Sequence, residues 1–197
     1  MTGAALAWPL ADPVALLERS IGYTLGSLQF VTEESMGRAT PCRDWDLRQL
    51  LAHMNDALRT LQEAALDRHI TLVSAVDGID PDADPVAALC DRACRLLGSW
   101  ARSGDPEGIL IGGVSMAAGI VPAAGALEIA VHGWDVARAC GQNRPIPPGL
   151  AEELLTCAAL FVSDADRPSR FAAPVEVSAG AGAGERLLAF LGRDLRA

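Results

Sequence analysis

The chain has 197 residues, 50% of them hydrophobic, only 5% aromatic, and a net charge of -9. That length supports one domain with a core of its own, and an Ala- and Leu-rich composition poor in aromatics favours helices over sheets. All 16 basic residues are Arg, scattered without a basic stripe or polybasic arm, which argues against a nucleic-acid partner.

The first predicted helix covers 12–31. Asp12 is placed to cap it, Pro13 suits its first turn, and Val14, Leu17, Ile21, Leu25 and Leu28 recur at three- and four-residue steps. A compact turn, Arg38 to Asp46, follows. Asp46 with Gln49 is a capping-box pattern that starts a second helix, whose buried stripe is Leu47, Leu50, Leu51, Met54, Leu58 and Leu61. His53 falls about 120° from the middle of that stripe, a flank position that reads as a half-exposed histidine. His69 lies where the helix is expected to fray and reads as a surface residue.

Asp77–Asp84 carries D-G and D-P pairs and reads as a loop. The third helix is 85–102, with Leu89, Ala93, Leu96 and Trp100 inward, and Gly104–Gly108 ends it. Ile109–Val114 is short, apolar and flanked by Gly, so it is a strand or plain extended chain. The fourth helix begins near Ala118–Pro122 and ends at Cys140-Gly141, with small or apolar side chains around most of its circumference, the pattern of the most buried helix. A stiff Pro145-Ile146-Pro147-Pro148 connector leads to a fifth helix over 149–163. The tail reads as extended Pro174–Val177, a glycine-rich 180–184 and a short terminal helix over 185–191.

The N-terminus lacks the charged and apolar regions of a secretory signal. Residues 108–127 form twenty residues without a charge, yet they hold five Gly and Pro122 and run straight into Glu128 and His132. Strand, turn and helix start fit them better than a membrane span. The five cysteines are odd in number and scattered, which fits reduced thiols and a cytoplasmic setting. Cys90 and Cys94 share a helix face as C-x-x-x-C. Core packing is the plainer reading, and a thiol-based sensor is the alternative.

The chemistry concentrates in the fourth helix. Glu128 and His132 are four residues apart, so their side chains lie roughly 40° apart on one face. Buried polar groups are costly unless paired or bound. The pair is therefore either a hydrogen bond that orients the helix or two ligands of a divalent metal. Asp135, three residues on, either orients His132 from behind or pairs with Arg138.

Two stretches carry a resemblance. Thr40–His53, T-P-C-R-D-W-D-L-R-Q-L-L-A-H, is similar to the T-P-C-x-x-W-x-x-x-x-L-x-x-H lead-in to the second helix of actinobacterial proteins related to mycothiol-dependent maleylpyruvate isomerase. Glu128–Gly141, E-I-A-V-H-G-W-D-V-A-R-A-C-G, resembles their E-x-x-x-H-G-W-D-x-A-x-A-x-G stretch. The tail, from F-A-A-P-V-E-V-S to L-L-A-F-L-G-R, resembles that of a short single-domain branch of metal-binding proteins. These belong to the DinB/YfiT-like superfamily of metal-binding helical bundles.

The resemblance implies an all-α fold: a four-helix bundle over 1–165, with an extra C-terminal helix and minor short strands, and a short extension over 166–197 packed on it. It implies a metal triad of His53, Glu128 and His132. Two imidazoles and one carboxylate form the donor set of open catalytic zinc sites, and nickel, iron or manganese suit it too. The implied function is a divalent-metal-dependent S-transferase or isomerase using a low-molecular-weight thiol such as mycothiol. In that chemistry a metal-bound thiolate attacks a small electrophilic metabolite. The alternative is a non-enzymatic metal- or small-molecule-binding protein that keeps the bundle as a scaffold. The expected partner is a small molecule, with neither nucleic acid nor membrane, and a homodimer is the expected assembly. One departure matters: the isomerase has a larger C-terminal region, whereas about thirty residues follow the fifth helix here.

Overall fold

A computed structural model describes residues 12–42, 45–67, 69–70, 84–102, 109–111, 114–117, 119–167 and 169–195. Within them run α1 (Pro13–Leu28), α2 (Leu47–Asp67), β1 (His69–Ile70), α3 (Pro85–Arg102), β2 (Ile109–Ile111), β3 (Val114–Met116), α4 (Ile120–Ala139), α5 (Pro148–Phe161) and α6 (Ala183–Phe190). Single 3₁₀ turns at Glu33–Ser35 and Asp164–Asp166 complete the order. The all-α class holds. The strands form one small sheet in the order β1-β2-β3, parallel at His69↔Leu110 and antiparallel at Ile109↔Met116.

The helix boundaries follow local chemistry. Ala15 N donates to Asp12 Oδ1 at 2.9 Å and Pro13 opens α1. The helix stops at Leu28, short of the expected residue 31. There Phe30 N and Val31 N turn to the carbonyls three residues back, at 3.2 and 3.1 Å, tightening the end into a 3₁₀ turn. At α2 the capping box is reciprocal: Gln49 N donates to Asp46 Oδ1 at 2.8 Å and Asp46 N to Gln49 Oε1 at 2.9 Å. The α2 stripe from Leu47 to Leu61 is buried as expected. The chain does not fray at residue 69. It enters β1, because β2 lies alongside to take its backbone bonds. The predicted loop over 77–83, the end of the third helix at 104–108, and Arg43, Asp44 and Ala118 lie outside the described residues.

α4 is the axis of the bundle. It packs along α1, and α2 packs on both α3 and α4, while α3 also meets α1. Of its residues only Ile120, Ala124, Glu128 and Arg138 are not buried. The first three are four apart and so form one half-buried row. Pro122 sits in the first turn, where its missing N–H costs nothing. Gly141, at φ 75°, closes the other end in a Schellman arrangement: Gln142 N donates to Ala137 O and Gly141 N to Arg138 O, both at 2.8 Å. α1 and α4 approach closely at Gly133, where an added Cβ would meet the Thr24 backbone at 3.1 Å. Thr24 Oγ1 donates to the Ile129 carbonyl at 2.7 Å in the same contact.

The C-terminal segment returns to the bundle. Leu187, Leu188 and Leu191 of and after α6 are buried in the same hydrophobic cluster as the α1–α5 core. Arg167 donates to the carbonyls of Ala172 and Phe190, and Val175 N donates to Ala189 O at 2.9 Å. No helix among the described residues is long and apolar enough to cross a membrane. Of the uncharged stretch 108–127, the described residues include β2, β3 and the start of α4.

Candidate metal centre

α2 and α4 lie side by side, and each brings its polar flank to one cleft. His53 comes from α2, where its off-stripe position leaves the side chain 35% exposed. Glu128 lies on the half-buried row of α4, its side chain 37% exposed, and His132 follows one turn on, buried. Both imidazole Nε2 atoms converge on the same carboxylate oxygen, Glu128 Oε1: His53 at 2.5 Å and His132 at 3.2 Å. The three donor atoms all lie within 4.8 Å of one another. The two rings meet edge to face, 5.1 Å between centroids, and Trp45 packs over His53 at 4.6 Å.

Behind His132 stands a buried relay. Asp135 Oδ2 lies 2.9 Å from His132 Nδ1. Asp135 is fully buried and accepts two bonds from Arg193, Nε to Oδ1 at 3.3 Å and Nη2 to Oδ2 at 2.9 Å. An imidazole that donates from Nδ1 keeps its Nε2 lone pair for a metal. Of the two partners the sequence offered Asp135, the one in contact with it is His132. Arg138 instead lies over the Trp134 ring, 5.8 Å away.

The electrostatics agree with this geometry. For Glu128, burial favours the neutral acid. The His132 charge and the hydrogen bonds from both histidines overcome it and hold the carboxyl well below its usual range. For His132, burial favours the neutral ring, but the Glu128 charge and the bonds to Asp135 and Glu128 raise it to about 9. Without a cation the site is therefore a carboxylate clasped by protonated imidazole. A bound cation would compete with the proton for Nε2. Two nitrogens and one oxygen, with the hydrogen bond behind the buried histidine, are a donor set that would suit a divalent ion.

That cleft has a volume of about 470 Å³ and is lined by Trp45, His53, Glu128, His132, Phe171 and Arg193 among others. Cys42 also lines it and groups with His132 and Asp135, their ligating atoms within 4.8 Å. Sequence reasoning missed Arg193, Cys42 and the aromatic wall. The spacing of Arg193 from Asp135 carries no periodic signal, since it reaches its partner from 58 residues away. The cysteines of the thiol-sensor reading, Cys90 half-buried and Cys94 exposed, sit on α3 and do not line this cleft. Burial first, then the neighbouring Cys94 and Asp84, raise the Cys90 thiol, so its thiolate is not favoured.

The family model of the mycothiol maleylpyruvate isomerase N-terminal domain matches residues 17–137. The chain belongs to that family. It is DinB/YfiT-like, as the two motifs implied. The match runs from within α1 to nearly the end of α4, and so takes in all three candidate ligands. Two curated relatives, uncharacterized proteins from Mycobacterium tuberculosis strains CDC 1551 / Oshkosh and H37Rv, are each 26% identical over 188 residues. The alignment covers 94% of this chain and 100% of theirs. No solved structure matches it.

Proposed function

We propose that this chain is a divalent-metal-dependent enzyme of small-thiol chemistry, a mycothiol-type S-transferase or isomerase acting on a small electrophilic metabolite. His53, Glu128 and His132 are its ligands, with zinc the first choice of metal and nickel, iron or manganese the alternatives. The observation that carries this reading is the convergence of three donor atoms from two helices at the wall of a cleft, in a member of a family named for a mycothiol isomerase.

A divalent cation bound there supplies Lewis-acid stabilisation of a thiolate at neutral pH. The chain's own residues do the rest. Asp135, held by Arg193, keeps a proton on His132 Nδ1 and fixes the ring. Trp45 packs on His53 and, with Leu127 and Val131, keeps the cleft wall apolar. No protein nucleophile is needed. The partner on this reading is a small molecule, the setting is cytoplasmic, and the expected homodimer is measured by light scattering.

Metal analysis of protein purified without added metal, set beside His53→Ala, tests the ligand assignment. Wild type holds about one ion per chain and the variant loses it; equal contents refute the triad. S-conjugate formation over a panel of thiols and electrophiles then tests the activity. Absence of metal-dependent turnover with any thiol counts against it.

One observation favours a second reading, a binding protein with a structural metal: the triad ties α2 to α4. Chelation separates the two. A large fall in melting temperature marks a structural ion, a small fall with exchangeable solvent a catalytic one.

A further inference from the structure

The cleft is built from two parts of the chain. Its polar floor, His53, Glu128 and His132, lies inside the stretch matched by the family model. Its facing wall, Phe161, Val162, Ser169, Arg170, Phe171 and Leu191, lies beyond residue 137. The metal-holding floor is thus the family's, and the wall that a substrate touches comes from the α5–α6 segment. That wall is held in place. Asp166 accepts from Ser163 N and Oγ at 2.9 and 2.8 Å, and Arg167 ties the segment to α6 through the Phe190 carbonyl.

We infer that this wall selects an amphipathic anion: an apolar, most simply aromatic, body with a carboxylate at its outer end, met by Arg170. The inference rests on the reading of the cleft as the substrate site. Two aromatic side chains, Trp45 and Phe171, line the cleft while only half-buried, which leaves ring surface within reach of a guest. Arg193 also lines it, but its guanidinium is buried and spent on Asp135 and the Leu191 carbonyl. Arg170 differs. Its side chain is 72% exposed, and its contact with Asp166 is long, 3.5 Å, to a carboxylate already bonded to Ser163. A planar guanidinium with five N–H donors has capacity left for a carboxylate. The apolar body then lies on the aromatic wall, with its other end toward the histidines.

Cinnamate, cinnamamide and acrylate separate the two halves of this claim when titrated by calorimetry into the purified protein and its variants. Cinnamate is expected to bind about fivefold tighter than the neutral amide, the scale of a partly exposed ion pair. It should bind about tenfold tighter than acrylate, which lacks the ring. Arg170→Ala abolishes the first gap, Arg170→Lys keeps part of it, and Phe171→Ala narrows the second. Elemental analysis shows unchanged metal in all three variants. A carboxylate preference that survives Arg170→Ala overturns the inference, as does acrylate binding as tightly as cinnamate. If His53→Ala keeps its metal while these gaps depend on Arg170 and Phe171 as stated, the triad assignment falls and this inference stands.

Discussion

Arg193 acts on the candidate site through Asp135. Its fork closes on Asp135, itself fully buried, so the pair has no water to fall back on. Removing one partner of such a pair typically costs about 3–5 kcal/mol, because the remaining charge is stranded. Arg193→Ala should therefore lower the melting temperature and, by loosening His132, weaken zinc binding by about 10–100-fold in a competition titration. Arg193→Lys keeps the charge but not the fork and should recover only part of both. Unchanged zinc affinity in the alanine variant would show that the relay ends at Asp135. The same histidine sets a pH dependence. In the metal-free chain its folded value of about 9 exceeds the ordinary 6.5. Its contribution to stability is thus full below about pH 6.5 and lost as pH rises through about 9. Glu128, held low, works in the opposite sense, its contribution fading only as acid drives it through its depressed value. Zinc binding at pH 7.5 must then expel about one proton. Calorimetry in buffers of different ionisation enthalpy measures that release, and buffer-independent heats would contradict it.

Among the elements, the α1–α4 contact sets where the ligands sit. Gly133 follows His132 directly and lets the Thr24 backbone come to 3.1 Å of where a Cβ would be. Gly133→Ala should force the helices apart, costing about 1–3 kcal/mol, and shift His132 with them. Urea unfolding and zinc titration should both register the change. A variant with reduced stability but wild-type zinc affinity would separate the packing from the site. Helix placement was legible in the sequence wherever a side chain acts on its own neighbourhood. Asp12, the Asp46/Gln49 pair, the α2 leucines and Gly141 all did what their spacing foretold. The link from His53 to Glu128 was not legible from periodicity, because it joins two helices 75 positions apart. Only the resemblance in Thr40–His53 suggested it. The Arg193 fork and the wall at Phe161 and Phe171 had neither local pattern nor motif to announce them.

The molecule as a whole shares one hydrophobic cluster, from Leu16 in α1 to Leu191 after α6. We propose that the bundle (1–165) and the extension (166–197) are separable by sequence and not by folding. Far-ultraviolet circular dichroism and tryptophan fluorescence should trace one coincident urea transition. Two resolved steps would mean that the extension opens independently. The extension would then act as a movable cover over the ligands.

The half-buried row Ile120, Ala124, Glu128 has a consequence for how substrate range can change. Ala124 stands one turn before Glu128, lines the cleft, and is excluded from the buried face of α4. A larger side chain there would occupy guest volume. Relatives that keep the Glu and His of this helix could thus diverge in what they accept through a single position. Ala124 is the natural first site for redesigning selectivity.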